Sequence, residues 1–350
     1  MLFNKVSIPL MLLTGALLYR PVFAEETPPP QQALKDFGIG ATQIDLLERG
    51  EIIDYKVSET SQKELAIGLA TVLPATLPQI IDYIRGNPTA TDSDVIASAP
   101  LANNADIGSF KKFAFTDKQL DEAKAFLEAK PGDKFNLSQP ELDSLKSLQS
   151  GTENASNKTL LETANKKYRE ILLQRFQAYR KSGMSGIAAY SREHGNADPA
   201  AELRNDAVNS KAWIRYFPAL QQAWLNYPAA LPPNAVEQFF WLNRRVEDRP
   251  TAILTHRVMV AGEAGGIIIS RQFYVGHSYN SSHMVIGGLP YKSGTLMFYA
   301  VRSSTDQVTG IGSGLKHSIG NEQMKQEMIH RLQRIKKDLK RKVKVAANED

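Results

Sequence analysis

The sequence contains no cysteine. That excludes a disulfide, a thiol nucleophile and a zinc–thiolate site, and it excludes a lipoprotein anchored through an N-terminal cysteine. The chain must stand on its core alone. With 350 residues, 42% hydrophobic and 23% charged, it is long and apolar enough to build one. Signature motifs are missing too. There is no G-x-S-x-G elbow and no H-E-x-x-H helix, so neither an α/β-hydrolase nucleophile nor a zincin site is written in the chain. After the N-terminus, long apolar runs are also absent.

What is there begins with MLFNKVSIPLMLLTGALLYRPVFA. Lys5 gives a positive start, Val6 to Tyr19 is mostly apolar, and Val22 and Ala24 are small residues at the two positions a signal peptidase reads. This predicts a signal peptide over residues 1–24, cleaved after Ala24, and a periplasmic or secreted protein. Pro9 and Arg20 oppose an uncleaved anchor helix. The formal net charge of +5 falls to +3 once Lys5 and Arg20 are gone. Residues 25–33, beginning EETPPPQQ, read as a Pro-rich spacer that adds nothing to a core.

Residues 34–87 read as the start of an α+β domain. Glu51 to Val57 and Glu64 to Val72 predict two strands, and Thr76-Leu77-Pro78 opens a short helix that stops at Gly86. Residues 88–235 read as a mostly helical insertion. Ser138 caps a helix with Glu141 three residues on, and Leu161, Ala164, Tyr168, Ile171, Leu172, Phe176 and Tyr179 recur at helical spacing before Gly183. Trp213, Tyr216, Phe217, Trp224 and Tyr227 cluster around Pro218. From 236 to 340 the period shifts to strands, with four candidates between Ala252 and Ser304 and no long helix between them. They predict an antiparallel meander. A glycine-rich loop, TGIGSG, then leads to one long amphipathic helix whose apolar stripe is Met324, Met328, Leu332 and Ile335. TGIGSG lacks the spacing and the βαβ setting of a phosphate loop. Residues 341–350 are a polar tail.

The strand–helix unit at Glu64 to Gly86, the antiparallel strands from Ala252 to Ser304, the glycine loop and the final helix resemble the element order of the START-like, helix-grip fold. The stretches "THRVMV", "SRQFYVGHSYNSS" and "GIGSGLKHSIGNEQMKQEMIHRL" resemble a largely uncharacterised group of exported bacterial proteins. The first resemblance implies an antiparallel sheet wrapped on the C-terminal helix. It also implies a lipid-like or other apolar ligand held between them, though a fold does not fix a function.

The stretch from Ser270 to Gly288 concentrates the chemistry-bearing residues. By strict alternation Arg271, Phe273, Val275 and His277 share one face, with Tyr274 on the other. On neighbouring strands His256 sides with Val258 and Val260, and Phe298 with Leu296 and Arg302. A few polar groups among many apolar ones is the pattern of a cavity wall. Arg271, His277, His256, Tyr274, Phe298 and Arg302 are therefore the expected ligand-binding residues, with Arg271 and His277 acting together on a polar head group, aided by His256. An arginine there pairs a carboxylate or phosphate. Phe239, Phe240 and Trp241 read as core.

Other chemistries are weighed on the same residues. His256, His277 and His283 could meet, but no acidic residue between Arg271 and Tyr299 completes a metal shell, so neither metal nor cofactor is expected. Ser278, Ser281 and Ser282 lie near His277, and a third group would come from Glu247 or Asp248. That leaves open a hydrolase-type enzyme with a sheet histidine as general base. A structural or interaction protein of the cell envelope is the third reading. The basic run from Arg331 to Lys344 suits a solvated helix face or an anionic membrane surface. It has no aromatic residue, and nucleic acid is not an expected partner.

Overall fold

A computed structural model describes residues 27–86, 94–132, 134–149, 151, 155–210, 215–310 and 312–346. The expected signal peptide and Trp213 lie outside these residues, as do parts of the spacer, of the linker at 150–157 and of the polar tail. Among the described residues no helix is long and apolar enough to cross a membrane.

The strands are β1 (Ile53–Tyr55), β2 (Glu64–Leu73), β3 (Val95–Pro100), β4 (Tyr190–Ser191), β5 (Asn196–Ala197), β6 (Val236–Val246), β7 (Arg249–Ala261), β8 (Gly266–Val275), β9 (Ser281–Tyr291) and β10 (Gly294–Ser304). The helices are α1 (Pro30–Asp36), α2 (Ala41–Glu48), α3 (Leu77–Gly86), α4 (Leu120–Leu127), α5 (Gln139–Gln149), α6 (Asn157–Ser182), α7 (Pro199–Asn209), α8 (Pro218–Leu225) and α9 (Ser313–Ala346).

Eight strands form one antiparallel sheet in the order β1-β2-β10-β9-β8-β7-β6-β3, and β4 and β5 form a separate pair. β6 to β10 are a meander, because each strand is joined to the next by a connection too short for a crossover. Glu247 and Asp248 turn β6 into β7 with φ of 50° and 60°, the two positive angles of a tight hairpin. β2 then pairs with β10 across a long sequence separation.

Helices cover both faces. On one face α3 and α9 bury Leu77, Ile80, Met328, Leu332 and Leu339 against Met259, Ile268, Ile286 and Met297. The other face carries α4 to α6 over Phe239, Trp241 and Leu254, α7 and α8 over Val258, Ile267 and Val285, and α1 and α2 over Leu296 and Phe298. The fold is mixed α/β in three layers, each apolar sheet face finding its own cover.

Local signals placed several elements. Ser138 N–H donates to Glu141 Oε2 at 2.7 Å as α5 begins, and α6 ends at Gly183 with φ 55°. Phe239, Phe240 and Trp241 are buried as expected. Other expectations need correction. The spacer does not stop short of the core. Pro30 opens α1, where a missing N–H costs nothing, and Ala33 is buried. The mostly helical insertion also contributes a strand that was not expected, β3, which pairs with β6 and extends the sheet. The last helix starts at Ser313, inside the glycine-rich stretch. The meander has a fifth strand, β6.

Candidate ligand-binding site

β7 presents Thr255 and Arg257 toward α9. Directly opposite them on β8 stand Gln272 and Ser270, and opposite Gln272 on β9 stands Ser282. This polar seam lines a cavity of about 630 Å³ between the sheet and α9, whose far wall includes Ile319, Gln323, Met324 and Met328. The volume is in the range of small-molecule sites.

Arg257 is 7% exposed. Its Nε donates to Ser270 Oγ at 3.1 Å and its guanidinium lies 4.8 Å from the centre of the Phe240 ring. Nη1 has no hydrogen-bond partner and no carboxylate faces the group among the described residues; Thr255 Oγ1 is equally unpartnered. Burial draws the guanidinium down to about 10, so it remains a cation at neutral pH. At the cavity edge Arg244, Arg245, Lys316 and Arg331 outnumber Asp94, Glu247 and Glu327. Glu327 is already engaged by Arg244 and Arg331. Arg257 is therefore a buried cation without a carboxylate partner on the sheet wall, beside Thr255, Ser270, Gln272 and Met284, while the other charges of the site stand at its edge.

The six residues expected from the sequence lie elsewhere. His256, Arg271 and Arg302 belong to one cross-strand row, His256–Arg271–His283–Arg302, on the face away from α9. Arg271 is 1% exposed; its Nη2 donates to the Trp224 carbonyl at 2.6 Å and its guanidinium stacks 3.6 Å from the Trp224 ring centre. Arg302 is in contact with Glu64. His256 is stacked on Phe239 at 4.2 Å, and the Tyr179 hydroxyl is 2.8 Å from its Nδ1. Its Nε2 is 3.0 Å from Glu237 Oε1 without the alignment of a hydrogen bond.

Strict alternation fails inside β8. Leu254 pairs with Tyr274 but Thr255 pairs with Gln272, so Phe273 is an extra residue, a β-bulge. Tyr274 thereby joins Arg271 on the face away from α9, where its hydroxyl meets that of Tyr168 at 3.2 Å. His277 is thrown onto the opposite side from Arg271, with Nε2 2.7 Å from Thr251 Oγ1. Arg271 and His277 are not a pair. Of the six, Phe298 and Arg302 alone border a described cavity, one of about 440 Å³ under α1.

The histidines are poorly placed for base catalysis. Burial is the main cause that lowers His256 to about 4 and His277 and His283 to about 3. None lines a described cavity. His277, Ser278 and Glu247 do come together, with His277 Nδ1 2.7 Å from Ser278 Oγ and Ser278 Oγ donating to Glu247 Oε2 at 2.7 Å. A serine has one hydroxyl proton, and here it points to Glu247 and not to His277. That is the reverse of an activated nucleophile. Among the described residues no group of three His, Asp or Glu is arranged to hold a metal.

The seam of Thr255, Arg257, Ser270, Gln272 and Ser282 was legible as a polar pattern, but its facing was not. Arg257 was the missed residue, and its signal was a lone cation in the apolar run "THRVMV". Comparison with protein-family models, curated proteins and solved structures finds no match for this chain.

Proposed function

We propose that this protein is an exported binding protein of helix-grip type that holds an amphipathic anion between the sheet and α9. The hydrocarbon part lies along Met284, Met324 and Met328, and a carboxylate or phosphate meets Arg257, Thr255 and Ser270. One observation carries the reading. A guanidinium buried without a counter-charge costs several kcal/mol, and Arg257 lines a cavity large enough to admit an amphipathic anion. A ligand anion repays that cost through charge-assisted hydrogen bonds, each worth roughly 1.5–3 kcal/mol.

The test is calorimetric titration of the exported protein with dodecanoate and dodecyl phosphate. One saturable site is expected, weakened at least tenfold in Arg257→Met and unchanged in Arg271→Met. Equal affinity in Arg257→Met, or no binding of either anion, would overturn the proposal.

The same reading gives α9 a second task. Arg334, Lys337 and Arg341 recur at helical spacing along its exposed side. They suit the headgroups of an anionic bilayer, at about 1 kcal/mol per basic residue. Co-sedimentation with phosphatidylglycerol vesicles that fades with salt, and none with phosphatidylcholine, is the expected outcome.

A further inference from the structure

The cavity of about 440 Å³ on the opposite face of the sheet has a different character. It lies between α1, β1, Ser210, Tyr216, Phe217 and the sheet. Phe37 stacks on Phe298 at 4.4 Å, and Tyr55 meets Phe37 edge-on at 4.9 Å. Ile267, Val285 and Leu289 continue the apolar wall. The charges nearby are already matched: Arg302 by Glu64, and Arg215 by Asp36. Lys56 is exposed at the rim. This cavity thus lacks the buried, unmatched cation of the site under α9.

The central strand β9 carries Gly287 and Gly288 side by side, and the two glycines have different reasons. A Cβ on Gly288 would meet Leu77 Cδ1 at 2.7 Å, so a larger residue there would have to displace the Leu77 side chain of α3. A Cβ on Gly287 would meet nothing within 4 Å. Gly287 pairs with Phe298 and Ile267, both in the wall of this cavity. Its φ is not in the left-handed region, so any L-residue fits the backbone. A glycine in mid-strand weakens the sheet, and with neither packing nor dihedral demanding it, what remains is space kept clear for something that approaches the backbone.

We infer that this cavity is a second binding site, for an uncharged apolar molecule of alkyl-chain type that lies across Gly287. The packed rings of Phe37, Tyr55 and Phe298 form one wall along the chain, and any polar end reaches the rim at Lys56 and Ser58. The site is independent of the one under α9, since the sheet separates them and they differ in charge.

The probe is dodecanol carrying a diazirine, photolysed with the exported protein and mapped by mass spectrometry of the labelled peptides. Labelling is expected at peptides containing Phe37, Tyr55 or Phe298, and competition by plain dodecanol. Gly287→Leu and Ala300→Leu, which fill the space from adjacent strands, are each expected to cut that labelling at least tenfold. Their melting temperatures should be equal to or above that of the parent protein. Arg257→Met should leave it unchanged. Labelling confined to α9 and the Arg257 seam, undiminished labelling in both filled variants, or no labelling at all overturns the inference. Loss of dodecanoate binding on Arg257→Met is a separate result that bears only on the first site.

Discussion

Arg257 on β7 and Arg271 on β8 are buried cations on neighbouring strands that point to opposite faces of one sheet. Arg271 is stacked on Trp224 and donates to a carbonyl, so its charge is held by the protein's own dipoles and ring. Arg257 has a serine, a ring and an empty volume. The difference predicts opposite stability effects. Arg257→Met should leave the ligand-free protein as stable or more so, because an unmatched buried charge is removed, while binding is lost. Arg271→Met should lower the melting temperature. Asp206 on α7 makes the same point with the other sign. It is 1% exposed, neither carboxylate oxygen has a hydrogen-bond partner, and burial raises its pKa well above 3.8. The native state keeps that proton where the unfolded chain has released it. Stability contributed by the protonated group is present below the unfolded value and is lost as pH rises toward the folded one. Asp206→Asn should raise the thermal midpoint at neutral pH and flatten its fall with rising pH; a lower midpoint at pH 7 would contradict this.

At the scale of elements, α5, α6 and β8 are tied by one buried ion pair. Arg175 Nη2 donates to Glu141 Oε2 at 2.6 Å, and its guanidinium lies 4.4 Å from the centre of the Tyr274 ring. Removing one partner strands the other charge in the core. Glu141→Ala is expected to cost about 3–5 kcal/mol in urea denaturation. The bulge at Phe273 serves this packing. It sends Tyr274 toward Arg175 and lets Phe273 stack on Tyr179 at 4.0 Å. The helix caps at Ser138 and Gly183 could be read from the sequence because each depends on residues within one turn. The bulge could not, because alternation counts residues and gives no sign of where one is left over.

For the whole molecule, the sheet is a partition with a cavity on each side and helices over both. α9 alone covers much of one side, through Met328, Leu332 and Leu339. Leu332→Ala should cost about 2–5 kcal/mol by denaturant titration. Ending the chain before Ser313 should uncover Leu65, Met284, Tyr299 and Val301, which face α9 across the cavity, read as binding of an apolar dye and self-association. A truncated chain that stays monomeric and binds no dye would show that α9 is not the cover of that face.

The sequence by itself determined the antiparallel meander, the strand–helix unit near Glu64 to Gly86, the long helix α6 and the amphipathic C-terminal helix. Each follows from local periodicity and short connections. It also marked Ser270 to Gly288 as a polar seam. Only the tertiary structure decided which half of that seam looks into the space under α9, because period-two alternation sorts residues into two sets without saying which set faces which cover. The packing of Trp224 on Arg271 closed one face around the expected residues, and the gap beneath α9 left the other face open to Arg257. The entry of α1 and β3 into the fold was equally non-local: Ala33 and the edge of β6 lie far from their partners in sequence, and no window along the chain contains both sides of the contact.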